Sequence, residues 1–330
     1  MMTLGQFPGQ KYIVGIAGTQ IEATVGNSDA QAFYINAAHA RANDANYGTD
    51  PDDPLATLQE LIDRSTGVSA IASPALNAGD SIFVNGNIAE TIIVTEDVPA
   101  NCELIGARPG IDSPVWTAAT AAGTALTLRQ SGWTVSGFRF TAGAAGRGIL
   151  LQWVPGSGYV ANRTSIVGNY FDGAWGGLYG VELSGAPFDV RIIGNEFREY
   201  RRGDASSFAV ITTNSSEANA YMCVVENNLF WENENHVGSL NDDRGFNLSV
   251  FKGNVFHEGV LIAATRMLDL RGGSQGKNIV TQNTFCGDYS NTGGYYANAA
   301  NPGNWVGNSA EDVAEAEVAD NGFTVAVPAA

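Results

Sequence analysis

Hydrophobic and polar positions along this chain recur in one short pattern: an apolar residue, a variable one, a Gly or polar residue, Asn, a variable one, then Phe. Its instances are Val135-Ser136-Gly137-Phe138-Arg139-Phe140, Ile166-Val167-Gly168-Asn169-Tyr170-Phe171, Ile192-Ile193-Gly194-Asn195-Glu196-Phe197, Val225-Glu226-Asn227-Asn228-Leu229-Phe230, Phe251-Lys252-Gly253-Asn254-Val255-Phe256 and Val280-Thr281-Gln282-Asn283-Thr284-Phe285. The closing Phe of each set lies 26 to 33 residues beyond the one before. A period of that length marks a solenoid with one coil per repeat. Trp305-Val306-Gly307-Asn308 reads as a seventh, terminal corner with Ala310 in place of the Phe.

The leading apolar residue and the closing Phe share one side only if the chain bends between them. Asn tolerates a left-handed backbone better than other non-glycine residues, and a preceding Gly relaxes the turn further. The pattern therefore predicts a short strand, a Gly-Asn corner and a second short strand with its Phe inward. Stacked coils put Val135, Ile166, Ile192, Val225, Phe251 and Val280 in one internal column and the six closing Phe residues in another. Stacked Asn side chains at the corner can hydrogen-bond along the axis. No helical pattern sits between the corners, which sets aside a leucine-rich repeat of the same period and leaves an all-β, parallel β-helix.

The segment 1–48 differs from the repeats. Residues 11–16 and 21–25 read as two strands around Gly18-Thr19-Gln20, and Phe33-Tyr34-Ile35-Asn36 as a third. A helix is predicted over 54–64, with Asp53 as N-cap, Pro54 in the first position and Leu55, Leu58, Leu61 and Ile62 on one face. An open solenoid end would expose its core, so this helix is expected as a plug. The solenoid is expected over 49–310, followed by 311–330, an acidic stretch with a terminal strand at Phe323-Thr324-Val325-Ala326-Val327.

Composition narrows the function. With 17 basic and 34 acidic residues the formal charge is -17, which repels nucleic acid and anionic membranes and suits a saline setting. Three cysteines, Cys102, Cys223 and Cys286, lack CxxC spacing, so buried free thiols are expected rather than a disulfide framework or a zinc site. No apolar run is long enough to span a bilayer. Met1-Met2-Thr3-Leu4-Gly5-Gln6-Phe7 lacks the basic and apolar regions of a secretory signal, which points to synthesis without classical export.

Residues 43–107 resemble the entry segment of pectin lyase-like, right-handed parallel β-helix proteins. The matching pieces are Asn46-Tyr47-Gly48-Thr49-Asp50-Pro51, Pro54-Leu55-Ala56-Thr57-Leu58-Gln59, Gly79-Asp80-Ser81-Ile82-Phe83-Val84, Glu90-Thr91-Ile92 and Leu104-Ile105-Gly106. A short strand region feeding directly into this loop and helix resembles virion-associated β-helix proteins of tailed bacteriophages. The fold hosts lyases, hydrolases, esterases, adhesins and structural spikes, so the resemblance implies architecture and leaves function to the site.

Candidate chemistry is sparse. Asn241-Asp242-Asp243-Arg244-Gly245 pairs two carboxylates, as glycoside hydrolysis needs, but also reads as an acidic loop with an internal ion pair. Glu196, Arg198, Glu199, Arg201 and Arg202 could supply a calcium cluster with an Arg base, or form a solvated edge or a subunit contact. His236 and His257 can come near each other but have no nearby Ser or Cys nucleophile. Arg202-Gly203-Asp204 spells an adhesion tripeptide and reads as chance. Trp153, Trp175, Trp231 and Tyr295-Tyr296 sit at coil edges, where ring faces stack on sugars or form protein interfaces.

No catalytic, cofactor-binding or metal-binding residue is assigned. The expected function is a phage head-decoration or spike subunit, structural or adhesive, attached through residues 5–36 and forming a homo-oligomer, first a trimer. Its partners would be other virion proteins and host surface glycan. The alternative is a tailspike-type polysaccharide depolymerase centred on Asp242, Asp243 and the 196–202 loop, and a third reading is a carbohydrate-binding adhesin.

Overall fold

Short strands stack in parallel, rung on rung, into three long walls of a β-solenoid. The computed structural model describes residues 11–16, 19–24, 30–71, 74–107, 112–154, 156, 161–203, 206–213, 219–239, 245–257, 266–270, 278–286, 295–297 and 304–310. Among these, ten strands form the first wall, nine the second and eight the third, and there is a single helix. Each coil gives one strand to each wall in turn. Ser165–Val167, Tyr170–Asp172 and Tyr179–Ser184 make one coil, and Arg191–Ile193, Glu196–Arg198 and Phe208–Thr213 make the next. All pairings between these coils are parallel, so the chain is a parallel β-helix.

Most strands of the first two walls are three residues long. With side chains alternating across a strand, the middle residue faces in and its neighbours face out. The first-wall register joins Phe33, Ile82, Leu104, Val135, Ile166, Ile192, Val225, Phe251, Val280 and Trp305. In the second wall Trp116 stacks on Phe140 at 5.3 Å. The Phe140, Phe171, Phe197, Phe230, Phe256 and Phe285 rings then follow at centroid spacings of 5.0, 4.6, 5.0, 4.9 and 4.9 Å, within 10° of parallel. Across the interior the third wall makes room for this stack. A Cβ on Gly180 would lie 2.9 Å from the Phe197 ring and 2.5 Å from the Ala209 carbonyl, so no larger residue fits without displacement.

The corner between first and second walls holds the expected asparagine ladder at Asn169, Asn195, Asn228, Asn254, Asn283 and Asn308. Asn195 Oδ1 accepts from the backbone N–H of Asn169 at 2.9 Å and from its amide at 3.2 Å. Asn195 Nδ2 donates to Asn228 Oδ1 at 3.1 Å and to the Ile166 carbonyl at 2.8 Å. The same set recurs to Asn308.

Backbone strain falls one residue earlier than the sequence predicts. The left-handed positions are Gly168, Gly194, Asn227, Gly253, Gln282 and Gly307, with φ between 55° and 66°. The ladder Asn residues are absent from that set, because an Asn can reach both the coil below and the coil above only with its side chain turned inward. The residue before each ladder Asn, Gly at four of the six corners, therefore makes the turn, and Asn fills its polar interior.

Two boundaries also differ. Ala32–Ile35 pairs in parallel with Ser81–Val84, so this strand is the first rung of the solenoid and not part of a separate N-terminal region. Buried Asp80 fastens it, accepting from the backbone N–H groups of Gln31 and Asn77 at 2.7 Å each. Lys11–Ile16 and Thr19–Thr24 form the expected hairpin. The helix spans Leu58–Thr66 with Thr57 as N-cap, not Asp53. Leu55 is held by a bridge to Ile35, so helical geometry cannot begin at Pro54. Asp44 accepts from the N–H groups of Ala56 and Thr57, and Glu90 of the first coil accepts from those of Leu58 and Gln59. Carboxylates at a helix N-terminus satisfy its free donors and complement its dipole. Leu58, Leu61 and Ile62 join the core, as a plug requires. Cys102 and Cys223 are buried thiols, whereas Cys286 is half-buried on the outside of the second wall. The segment 311–330 lies outside the described residues.

Asn195→Leu strands the Asn169 N–H and the Ile166 carbonyl, at about 1–3 kcal/mol for each buried group. Gly194→Val adds about 1–2 kcal/mol of left-handed backbone cost in otherwise open space, while Gly194→Asn is nearly neutral. Thermal melts of the three variants should rank in that order, with Asn195→Leu lowest.

Candidate functional site

The residues flanking each second-wall Phe face solvent. The register aligns Arg139, Tyr170, Glu196, Leu229 and Val255 in one outer column and Thr141, Asp172, Arg198, Trp231 and His257 in the other. Arg139 meets Asp172 at 2.9 Å and Arg198 meets Glu196 at 2.5 Å. The Arg139 guanidinium carbon lies 5.0 Å from the Tyr170 ring centroid. That of Arg198 lies 5.8 Å from Tyr170 and 5.4 Å from Trp231. His257 stacks on Trp231 at 4.2 Å with 5° between the planes. Cations over ring faces are attracted by the π-quadrupole, so this strip is a closed mesh of ion pairs and covered rings. A sugar finds no free face on Trp231.

Where the strip meets the third wall, the mesh opens. Trp175 is 54% exposed, with the Arg201 guanidinium 5.0 Å from its ring centroid. Its backbone N–H donates to the Glu199 carbonyl at 3.2 Å. Burial raises the Glu199 carboxyl above the usual carboxylate range, and the charges of Asp172 and Glu232 raise it further, against the pull of Arg198. Trp175 and Glu199 are both left-handed, at φ 60° and 59°.

The five charged residues of the 196–202 segment thus divide. Glu196 and Arg198 belong to the outer strip, and Glu199 and Arg201 gather on Trp175. The backbone N–H of Arg202 donates to buried Glu234 at 3.3 Å. They form no calcium cluster, and among the described residues no group of three His, Cys, Asp or Glu stands close enough to hold a metal ion. Asp242 and Asp243 lie outside the described residues, as does Asp204 of the Arg-Gly-Asp tripeptide. Trp153 is half-buried beside Gly185, and Tyr295 and Tyr296 lie on a third-wall strand.

Sequence reasoning missed Arg139, Tyr170 and Asp172, although stepping one residue to either side of each ladder Phe would have found them. A second strip on the third wall was also missed. There Arg147 meets Glu182 at 2.6 Å, and the Thr213 hydroxyl donates to Glu182 at 2.5 Å. Arg129 reaches Gln152 at 2.9 Å.

No protein-family model matches the chain, and no curated protein matches it. Among solved structures, a rhamnogalacturonan lyase is similar over 88% of this chain and 91% of its own, at 10% identity and a TM-score of 0.40. An alginate lyase from Paenibacillus sp. str. FPU-7 is similar over 86% and 98%, at 12% identity and a TM-score of 0.34. Neither lends a residue role to this chain.

His236 and His257 are not partners. His257 is on the outer strip, whereas His236 is fully buried, its ring 5.8 and 5.9 Å from those of Phe230 and Phe256. Burial, aided by the nearby His257, pushes His236 down to about 3. Unfolded histidine titrates near 6.5. Between these values the unfolded chain takes a proton that the folded chain refuses. The contribution of His236 is therefore complete above about pH 6.5 and declines as pH falls toward 3. His236→Met, copying Met267 of the next coil, should flatten this part of the melting temperature–pH curve relative to wild type between pH 6.5 and 4.

Proposed function

We propose that this chain is a structural and adhesive subunit of a tailed-phage particle, a head-decoration or spike protein that works as a stiff homo-oligomeric rod and touches host surface glycan. The observation that carries the reading is the double spine of stacked Phe rings and fully bonded Asn amides, which runs through consecutive coils without a polar gap. A solenoid so braced resists bending, because each rung is bonded and packed against the next. The outer strip of the second wall is internally neutralised, as suits a shaft. The adhesive contact is assigned to Trp175, whose ring has one face under Arg201 and whose backbone is tied to that of Glu199. Such a ring stacks on a sugar with little ordering cost.

Cryo-EM of the particle encoded with this gene tests the placement. Density for the β-helix at regular head positions or at the tail fits the proposal, and its absence from the particle overturns it. Trp175→Ala should abolish retention on host capsule or O-antigen while leaving the melting temperature unchanged. A second reading, a polysaccharide depolymerase, is favoured by one observation, the Glu199 carboxyl raised above the usual carboxylate range, the direction a general acid requires. Release of reducing or unsaturated sugar ends by wild type, lost in Glu199→Gln, would replace the adhesive reading with that one.

A further inference from the structure

In the first coil that spans all three walls, the order of residues at the corner between first and second walls is reversed. At the ladder corners a Gly or polar residue comes before Asn, and each Asn is bonded along the column. The residues that follow them, Tyr170, Glu196, Leu229, Val255 and Thr284, all carry side chains. Here Asn85 precedes Gly86, between Ser81–Val84 of the first wall and Ile88–Ala89 of the second.

Both residues are half-buried. Among the described residues the Asn85 side chain makes no hydrogen bond, and neither does the Gly86 N–H. Asn85 is held by its backbone N–H, which donates to the Ile35 carbonyl at 2.8 Å. Gly86 is not among the glycines at positive φ, so no left-handed turn requires it. A free carboxamide thus stands next to a free peptide N–H, with no Cβ to crowd their approach.

We propose that Asn85-Gly86 is a site of spontaneous covalent modification, where the folded chain slowly converts asparagine to aspartate and isoaspartate. The Gly86 nitrogen gives its proton to hydroxide and bonds to Asn85 Cγ. The Cγ–Nδ2 bond breaks and ammonia leaves, which closes a succinimide ring. Water then opens the ring at either carbonyl. One opening leaves aspartate, and the other leaves isoaspartate, whose main chain runs through Cβ. Both place a new negative charge at the corner. The second also lengthens the backbone where the bond to Ile35 ties this coil to the first rung.

Asp172-Gly173 is the contrasting pair, since an aspartyl-glycyl unit can close the same ring with loss of water. Asp172 pairs with Arg139 at 2.9 Å and accepts from the Ala174 N–H at 3.0 Å, while the Gly173 N–H donates to the Arg198 carbonyl at 2.8 Å. The fold ties that pair down and leaves Asn85-Gly86 free. Asn321-Gly322 lies outside the described residues.

Peptide mapping of the full chain, aged at mildly alkaline pH in its native state and in urea, tests the proposal. The native Asn85 peptide should gain about 1 Da and split into two isomers, and hydroxylamine, which cleaves succinimides, should cut between Asn85 and Gly86. Because no bond must open first, the native rate should lie within about tenfold of the rate in urea. Asp172 should isomerise measurably only in urea. Asn85→Gln, which closes a ring poorly, and Gly86→Ala, whose Cβ would meet the Asn36 side-chain oxygen at 3.0 Å, should each suppress the mass gain. A native rate more than about tenfold below that in urea would overturn the proposal. So would a gain at this peptide that persists in Asn85→Gln, since it would belong to Asn87.

Discussion

One hydrogen-bonded column holds the corner on which every coil depends. Each asparagine of the ladder spends its carbonyl on the coil before it, and divides its amide hydrogens between the coil after it and a carbonyl of the coil before. No other uncharged side chain short enough for the corner offers both two donors and an acceptor. The corner can be this tight, and this dry, because its interior polar groups are paired. With the corner fixed, the next strand starts in register and its Phe lands on the Phe below. Stacking then follows at about the spacing of the strands themselves.

The spine also explains the size of the third-wall residues. Gly180 abuts the Phe197 ring, and Gly148 the Phe171 ring, so the stack is accommodated by removing side chains opposite it. His236 lies opposite the stack later on, where the interior is wide enough for an imidazole but too dry for its charged form. Core geometry, rather than chemistry at a site, accounts for the strongly lowered basicity of that residue.

The outer surfaces divide the work proposed for the rod. The second wall closes its charges upon itself and covers its rings. Trp175, where the chain leaves the wall, stands 54% exposed.

The sequence by itself determined the solenoid, the Phe and Asn columns, the N-terminal hairpin and the presence of a plugging helix. Those features are written as local patterns repeated at a fixed period, and repetition multiplies a weak signal. It misplaced the strained residue of the corner, since Gly and Asn are both turn formers and only the axial hydrogen bonds separate their roles. It placed the helix start at Pro54, because the Leu55–Ile35 bridge joins residues distant in sequence. It also offered Trp231 as a sugar platform or a protein interface. Whether a ring is bare depends on what the coils above and below set on its faces, and Arg198 and His257 arrive there only through the stacking register. Local periodicity fixed the coil, while contacts made one coil apart decided which residues are strained, covered or left to meet a partner.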